Sequence, residues 1–585
     1  MFHRLSFVAC LLAVPLLSLT RPAAAVQYVG PNCTIKRIQD AIGKESPPQI
    51  IYVAPGTYNE TVGISYAGSV TITGGYTQGC AAGSPGGDTT ISGMGLTSRV
   101  VTVTGNSDLK LSNLTIRDGA NGPDGTAGGI GFFGYGKLTL ESVFLSNNTA
   151  GYGAGLGVSP TAHTEVMLSS GTFIGGNTAI HDGGGIHIDG DTRLFVVDAQ
   201  TNIYSNHADN GNGGGIDIVG PARADINSII VGNTAMYGGG ISVIAGSNGA
   251  AVVRIYTADP QSAGGVAVNF ASQAGGGAYL KPFNNTGSAH SAALCAYNFL
   301  INGNTAPNAA AIYASVDQPF SSSPLTGSQV FLNTDSNSTE FQCNPEPVSA
   351  LGGVACADGT GCNQISNNDA ADGTGSPTGG STIVMQDGGR LQADRVSLKN
   401  NSSGSVLSTI DNGSGNSTSL TNCLFADNSV TYELISAVHN SFHSMSLNHC
   451  TLAHNTIGGN NVIHTQSSFT LNDSIVAENK PTLEYAGPIG GLSLNYILSN
   501  DVSTLSACVG CFTGDPQFVS VADRDYHLQS TSPALDHAPV TPGLDLDLDG
   551  KPRNTDLPVP NVNGPSDLGA YERQPDDRIF ANGFQ

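Results

Sequence analysis

Short apolar runs in this chain end, again and again, on a polar corner. LTIRDGA, FLSNNTA, FIGGNTA, IYSNHA, IIVGNTA, LINGNTA, VSLKNNSS, CLFADNSV, CTLAHNTI and SIVAENK share this form. With Asp118 as the first member, in place of the usual Asn, the later corner residues are Asn148, Asn177, Asn206, Asn233, Asn304, Asn401, Asn428, Asn455 and Asn479. Their successive spacings, by subtraction, are 30, 29, 29, 27, 71, 97, 27, 27 and 24 residues. A period of roughly 20–50 residues is the mark of a solenoid, and the two long gaps read as several coils plus insertions.

A second landmark keeps the same beat: a glycine-rich turn that enters an alternating strand, as in AGLGV, GGGIHI, GGGIDI, GGGISV and GGGAYL, with AAAIYA as a variant. In Ile186-His187-Ile188 the alternation sends both Ile side chains inward and His187 outward. A single coil can bury its apolar stripe only against the coils above and below. The expected fold is therefore all-β, a right-handed parallel β-helix with a small C-terminal module. Asn suits its corner because it tolerates left-handed backbone and bonds to the same amide one coil away. Glycine supplies positive φ at the other corner. At ~27 residues and ~4.8 Å per coil, the stretch from Asp118 to Asn479 implies a rod of roughly 60 Å. The segment IQDAIGKESPPQIIYVAPGTYNETV reads as the opening coil, with Ile38 to Ile42 a short helix that plugs the open end. Residues 244–298 and 315–390 interrupt the period.

The pairing of F-x-x-N (Phe144 to Asn147, Phe425 to Asn428) with G-G-[GA]-I resembles the repeats of polymorphic outer membrane proteins. More loosely it resembles the pectin-lyase-like β-helix superfamily, over about residues 110–500. The resemblance implies the fold, which hosts adhesins, lyases and hydrolases alike. Polymorphic outer membrane proteins end in a membrane barrel, and too few residues follow the helix here to build one. From Asp515 the text becomes DPQFVSVADRDYHLQSTSPALDHA, DLDLDGKPRNTD and DLGAYE. This resembles the choice-of-anchor Q module, which implies display at a cell surface and no reaction. The tail DRIFANGFQ resembles short C-terminal sorting tails of exported bacterial proteins. The layout is a signal peptide (1–25), the β-helix (26–505), the module (506–573) and the tail (574–585).

The first 25 residues have the charged start, apolar centre and small-residue close of a cleaved secretory signal, so the mature chain is expected to begin at Val26, secreted or at the bacterial cell surface. Beyond them no run of ~20 apolar residues spans a membrane. The net charge is −23, and loss of Arg4 and Arg21 with the leader makes it more negative still. Nucleic acid is excluded as a partner by repulsion from phosphate. Of 11 Cys, Cys10 leaves with the leader, and an even number then enters an oxidising compartment. Cys423 and Cys450 share a register on neighbouring coils and form either a disulfide or a stacked thiol pair. Cys33 with Cys80, Cys356 with Cys362, and the Cys508–Cys511 clip are pairings suggested by proximity in sequence.

Residues after the glycine turn stack in the order Gly157, His187, Asp217, Ser242, Tyr279 and Tyr313. His187 and Asp217 then sit ~4.8 Å apart along the axis, where a carboxylate-held imidazole is a candidate general base, or else a solvent-tolerant cross-strand pair. Asp545, Asp547, Asp549 and Asp556, with Gly550, follow calcium-loop spacing, although Pro552 and Arg553 break the pattern and an acidic solvated turn accounts for them equally. Calcium is the one cofactor suggested. Of the polygalacturonase signatures only Asn333-Thr334-Asp335 is present, and the chain holds no Trp. The expected function is an adhesin-like scaffold, a monomer that binds an extracellular polysaccharide or protein. The alternative is a polysaccharide lyase or glycoside hydrolase working on the outward face.

Overall fold

A computed structural model describes residues 24–575 except for short breaks, the longest at 257–263, 316–326, 344–362, 372–378 and 500–507. The leader before Ala24, the Cys356–Cys362 pairing and the tail lie outside the described residues.

The chain is a right-handed parallel β-helix. One sheet of 28 strands takes two strands from most coils, and a second of 14 strands takes one from each. Small sheets of 5 and 3 two- to five-residue strands line the Asn corner. Pairing is parallel from coil to coil, as in Leu138↔Val166 and Val166↔Leu194. The inward positions of every strand feed one continuous apolar core that runs from Val29 to Ile497.

The corner is held by an unbroken amide ladder. Asn148, Asn177, Asn206, Asn233, Asn269, Asn304, Asn368, Asn401, Asn428 and Asn455 each donate from Nδ2 to Oδ1 of the next, at 2.9–3.1 Å, ending on Asn479. Asn269 and Asn368 fill the two long gaps, as steps of 36, 35, 64 and 33 residues. Longer middle coils mean fewer of them, so ten steps join the eleven rungs from Asn148 to Asn479 and the ladder is about 50 Å long at ~4.8 Å per step.

Two expectations at this corner are corrected. Asp118 is not the first rung: it pairs in register with Asn147, and Gly119 N donates to Asn148 Oδ1 at 3.0 Å. The left-handed backbone belongs to the residue before each ladder Asn, among them Asn147, Ser205, Val268, Asp427 and His454, with φ of 50–57°. The ladder Asn is selected by its amide alone.

Residues 244–298, expected to interrupt the repeat, supply regular rungs at Ala251–Tyr256, Phe270–Ala274, Ala278–Lys281 and Ala292–Tyr297. The excursion there is a small antiparallel hairpin, Phe283–Asn285 with Ser288–His290. Within 315–390 the strands Gln329–Leu332, Gln364–Ser366 and Ile383–Gln386 continue the stack. At the N-terminal end a one-turn helix, Ile38–Ala41, places Ile38 and Ala41 in the core, and the Glu60 carboxylate accepts from the Ile38 and Gln39 amides at 2.8 and 3.1 Å.

Among the described residues three disulfides are present: Cys33–Cys80, Cys295–Cys343 and Cys508–Cys511. Cys423 and Cys450 are free and buried, so the stacked thiol pair is the alternative realised. Cys295 escaped the sequence reading although its strand names it: Leu294 and Ala296 enter the main core, and Cys295 points outward. There Cys343 caps a satellite cluster with Val252, Tyr297, Phe331 and Phe341.

After the last rung, Phe512–Thr513, the chain turns back along the outside of the long sheet. A hairpin (Phe518–Ser520 with Asp525–Leu528) and irregular segments bury Phe518, Tyr526, Leu535 and Leu568 against Leu424, Ala426, Ala453, Ile475 and Leu498 of the helix wall.

Candidate functional site

The stacked column expected from sequence is present: Gly157↔His187, His187↔Asp217, Asp217↔Ser242, Ser242↔Tyr279 and Tyr279↔Tyr313 are register partners. Its surroundings differ from the expected solvent-facing pair. Asp217 and Ser242 are wholly buried, Tyr279 is nearly so, and the His187 side chain is 12% exposed. The cause is the glycine turn, whose first glycine folds back over the column. A Cβ on Gly183 would meet His187 Cβ at 2.7 Å, and one on Gly213, at φ +65°, would meet the Ile216 carbonyl at 2.3 Å. The column lies in a crease, roofed on one side by the turn.

The residue just before each of those glycines lines the crease: Tyr152, Asp182, Asn212 and Tyr237. Sequence reasoning missed them, though the signal was there, one residue upstream of the glycine landmark. Tyr152 packs against His181 and His187 with ring centroids 5.0 and 5.7 Å away. Asp182 Oδ1 accepts from the Asn212 main-chain and side-chain amides at 2.8 and 2.9 Å. Tyr237, Tyr279 and Tyr313 continue the row, the last two nearly parallel at 5.9 Å. Tyr152, Tyr237, Tyr279 and Tyr313 thus give the crease a row of rings.

His187 Nδ1–H donates to Asp217 Oδ2 at 2.8 Å. Burial alone would lower the imidazole pKa, but the bond to Asp217 and the carboxylates of Asp182 and Asp189 outweigh it and raise it above the ordinary histidine value. Burial pushes Asp217 up to about 6 against the pull of the His187 bond. A raised pKa favours the doubly protonated ring, which gives a proton or hydrogen bond to a ligand oxygen rather than taking one. The dyad is better suited to a general acid than to the base expected from sequence.

The four aspartates of the suggested calcium loop do not converge. Asp547 turns inward: Oδ1 accepts from the Asp549 and Lys551 amides at 3.0 and 2.8 Å, and Oδ2 from the Glu572 amide at 2.8 Å. Asp549 pairs with His527 Nε2 at 2.7 Å, whereas Asp545 and Asp556 face solvent. Among the described residues no three His, Cys, Asp or Glu side chains are placed to hold a metal ion. The loop's carboxylates build the module instead. Arg553, at the position that broke the calcium pattern, is buried against Glu572 at 3.5 Å and His449 Nδ1 at 3.1 Å. The Asp567 carboxylate caps the Asp536 and Arg573 amides at 2.8 Å each.

Fold and crease together define an all-β solenoid with a lined groove and a wall-docked C-terminal module. No family model matches the chain, and no curated protein matches it. Among the described residues no helix is long and apolar enough to cross a membrane.

Proposed function

We propose that this chain is an exported β-helix scaffold of the adhesin or matrix type, which binds an extracellular polymer along the crease. The observation that carries the reading is the crease itself: the column Gly157, His187, Asp217, Ser242, Tyr279 and Tyr313 sets one residue per coil along a groove parallel to the axis, with His187 and Tyr313 its partly exposed members, and a groove in that direction suits an extended polymer. The apolar leader and the Cys33–Cys80 and Cys295–Cys343 disulfides support an oxidising, extracytoplasmic setting. The likeness of the repeats to polymorphic outer membrane proteins and pectin-lyase-like β-helices, and of residues 513–573 to choice-of-anchor Q modules, supports display at a bacterial surface.

The His187–Asp217 dyad favours a second reading, a lyase or hydrolase that protonates a glycosidic oxygen from His187. One panel separates the two. Affinity electrophoresis of the purified chain in gels of plant and bacterial polysaccharides is expected to show retardation that a Tyr279→Ala/Tyr313→Ala variant loses, with no release of reducing or unsaturated ends. Product formation abolished by His187→Ala, with retardation intact, replaces the scaffold reading with the enzymatic one. Free migration in every gel, with no product, overturns both.

A further inference from the structure

Near the N-terminal end the long sheet, a different sheet from that of the crease column, carries a file of outward aromatic residues. Phe144 and Phe173 are register partners with rings stacked at 4.8 Å and 20°, and Tyr204 meets Phe173 edge-on at 6.4 Å. Phe144, the first of the file, is 44% exposed. Phe173 covers one face of its ring. On the preceding coil the register partner is Thr115, too short to cover the other face. On that side lies a cleft of about 350 Å³ lined by Gly74, Gly75, Gly86, Gly87, Asp88, Thr89, Asn113, Leu114, Thr115, Ser142 and Phe144.

The lining is specific in kind. One aromatic face stands at the lip; among the described residues of the lining the exposed Asp88 is the sole ionisable group, and the Asn113 amide and the Thr115 and Ser142 hydroxyls add further polar groups. Gly87, at φ +92°, and Gly75, at φ +79°, hold left-handed backbone where no other residue sits without strain, and the Gly75 amide is bonded to Thr89 Oγ1 at 2.8 Å. A planar apolar face opposed by short polar groups suits a pyranose ring. Its axial C–H groups meet the electron-rich face of Phe144, and its hydroxyls donate to Asp88 and exchange hydrogen bonds with Asn113 and Ser142. The volume is at the lower end of the ~300–1,000 Å³ range of small-molecule sites and suits one or two sugar units. A lone carboxylate in a chain of net charge −23 turns away acidic sugars. A cation would meet one ring and one carboxylate here, so choline serves as the competing probe.

We infer that this cleft, with Phe144 as its platform, is a second carbohydrate site, selective for a neutral pyranose. It stands on residues that the crease does not use, so it holds whether or not the crease binds polymer.

The test is saturation-transfer NMR on the full chain with methyl β-glucoside, methyl β-galactoside, N-acetylglucosamine and cellobiose, and with galacturonate and choline as charged controls. Saturation is expected on the axial C–H protons of at least one neutral sugar and on neither control. Phe144→Ala is expected to lose about tenfold in affinity, the order of one aromatic contact, while Phe144→Tyr keeps it. Asp88→Asn is expected to weaken binding, and Tyr279→Ala, in the crease, to leave it unchanged. Circular dichroism of Phe144→Ala is expected to match the parent, since the ring lies outside the core. Loss through Tyr279→Ala instead would assign the sugar to the crease. Absence of transfer to every neutral sugar, stronger transfer to choline or galacturonate, or binding unchanged in Phe144→Ala overturns the inference.

Discussion

At the scale of the residue, the ladder Asn is the most constrained position in the chain. Asn206 donates to the Ile174 carbonyl at 2.9 Å and to Asn233 Oδ1 at 3.0 Å, while its own Oδ1 accepts from the main-chain and side-chain amides of Asn177 at 3.2 and 2.9 Å. All of this is out of reach of water. Asn206→Ala leaves donors on Asn177 and acceptors on the neighbouring coils unpaired, each costing about 1–3 kcal/mol. The expected result is a destabilisation of at least ~2 kcal/mol in urea unfolding. Asn202→Ala, four residues away on the partly exposed outer face, is expected to fall well short of that. The residue before each ladder Asn carries the strain and takes Gly, Ser, Val, Asn, Asp, His or Glu. The amide is irreplaceable and the corner is not.

At the scale of the element, the buried cysteines show how a parallel stack treats side chains of equal register. Cys423 and Cys450 project into the core one coil apart, each with its thiol turned to a carbonyl two residues back, Thr421 O at 3.2 Å and Asn448 O at 3.4 Å. Burial and the neighbouring sulfur push the Cys423 thiol well above its ordinary pKa, which starves it of thiolate, the form that forms disulfides. Non-reducing peptide mapping is expected to recover Cys423 and Cys450 as thiols that react with iodoacetamide only after unfolding. It should also find Cys33–Cys80, Cys295–Cys343 and Cys508–Cys511 as the bridges among the described residues. A Cys423–Cys450 bridge would contradict the free thiol pair.

At the scale of the whole molecule, the module and the helix wall share a buried set of charges with one guanidinium and too many carboxyls. Burial pushes Asp473 and Glu572 up to about 7 against the attraction of Arg553, and burial and the Glu572 charge hold Asp567 well above its ordinary range. These acids bind protons in the docked state that they release when freed. Their contribution is therefore present below about pH 4 and lost as pH rises through about 7. His527, lowered by burial but raised more by its bonds to Asp525 and Asp549, stands at about 9 against an ordinary 6.5. Its contribution is complete below about 6.5 and lost as pH rises through about 9. His449 opposes them: burial and Arg553 hold it well below 6.5, so docking loses stability as pH falls past that value. Several groups outweigh one. The module is expected to unfold at a lower temperature at pH 8.5 than at pH 5.5, followed by near-ultraviolet circular dichroism of its tyrosines. Asp473→Asn, a permanent stand-in for the protonated acid, is expected to narrow the gap by raising the value at pH 8.5.

What the sequence determined by itself follows from the repeat. A period of ~27 residues with inward alternation admits one kind of stack, and register then follows by counting, so the order Gly157, His187, Asp217, Ser242, Tyr279, Tyr313 was legible before any coordinate. Counting fails where a coil is long or its corner residue ambiguous, which is why Asn269 and Asn368 went unseen and Asp118 was placed one residue out of register. Tertiary structure alone decided what covers each face. An outward side chain on an isolated strand is a surface side chain, but the glycine turn folding over His187 and Asp217 buries them, and no spacing along the chain encodes that return. The same holds for DLDLDG: its carboxylates suit a cation by spacing, yet the amides of Asp549, Lys551 and Glu572 reach Asp547 first, because the module packs Arg553 and Glu572 against a wall some hundred residues away in sequence. Periodicity is a local property and is written in the chain. Burial depends on which distant segment arrives, and that is settled only when the whole is packed.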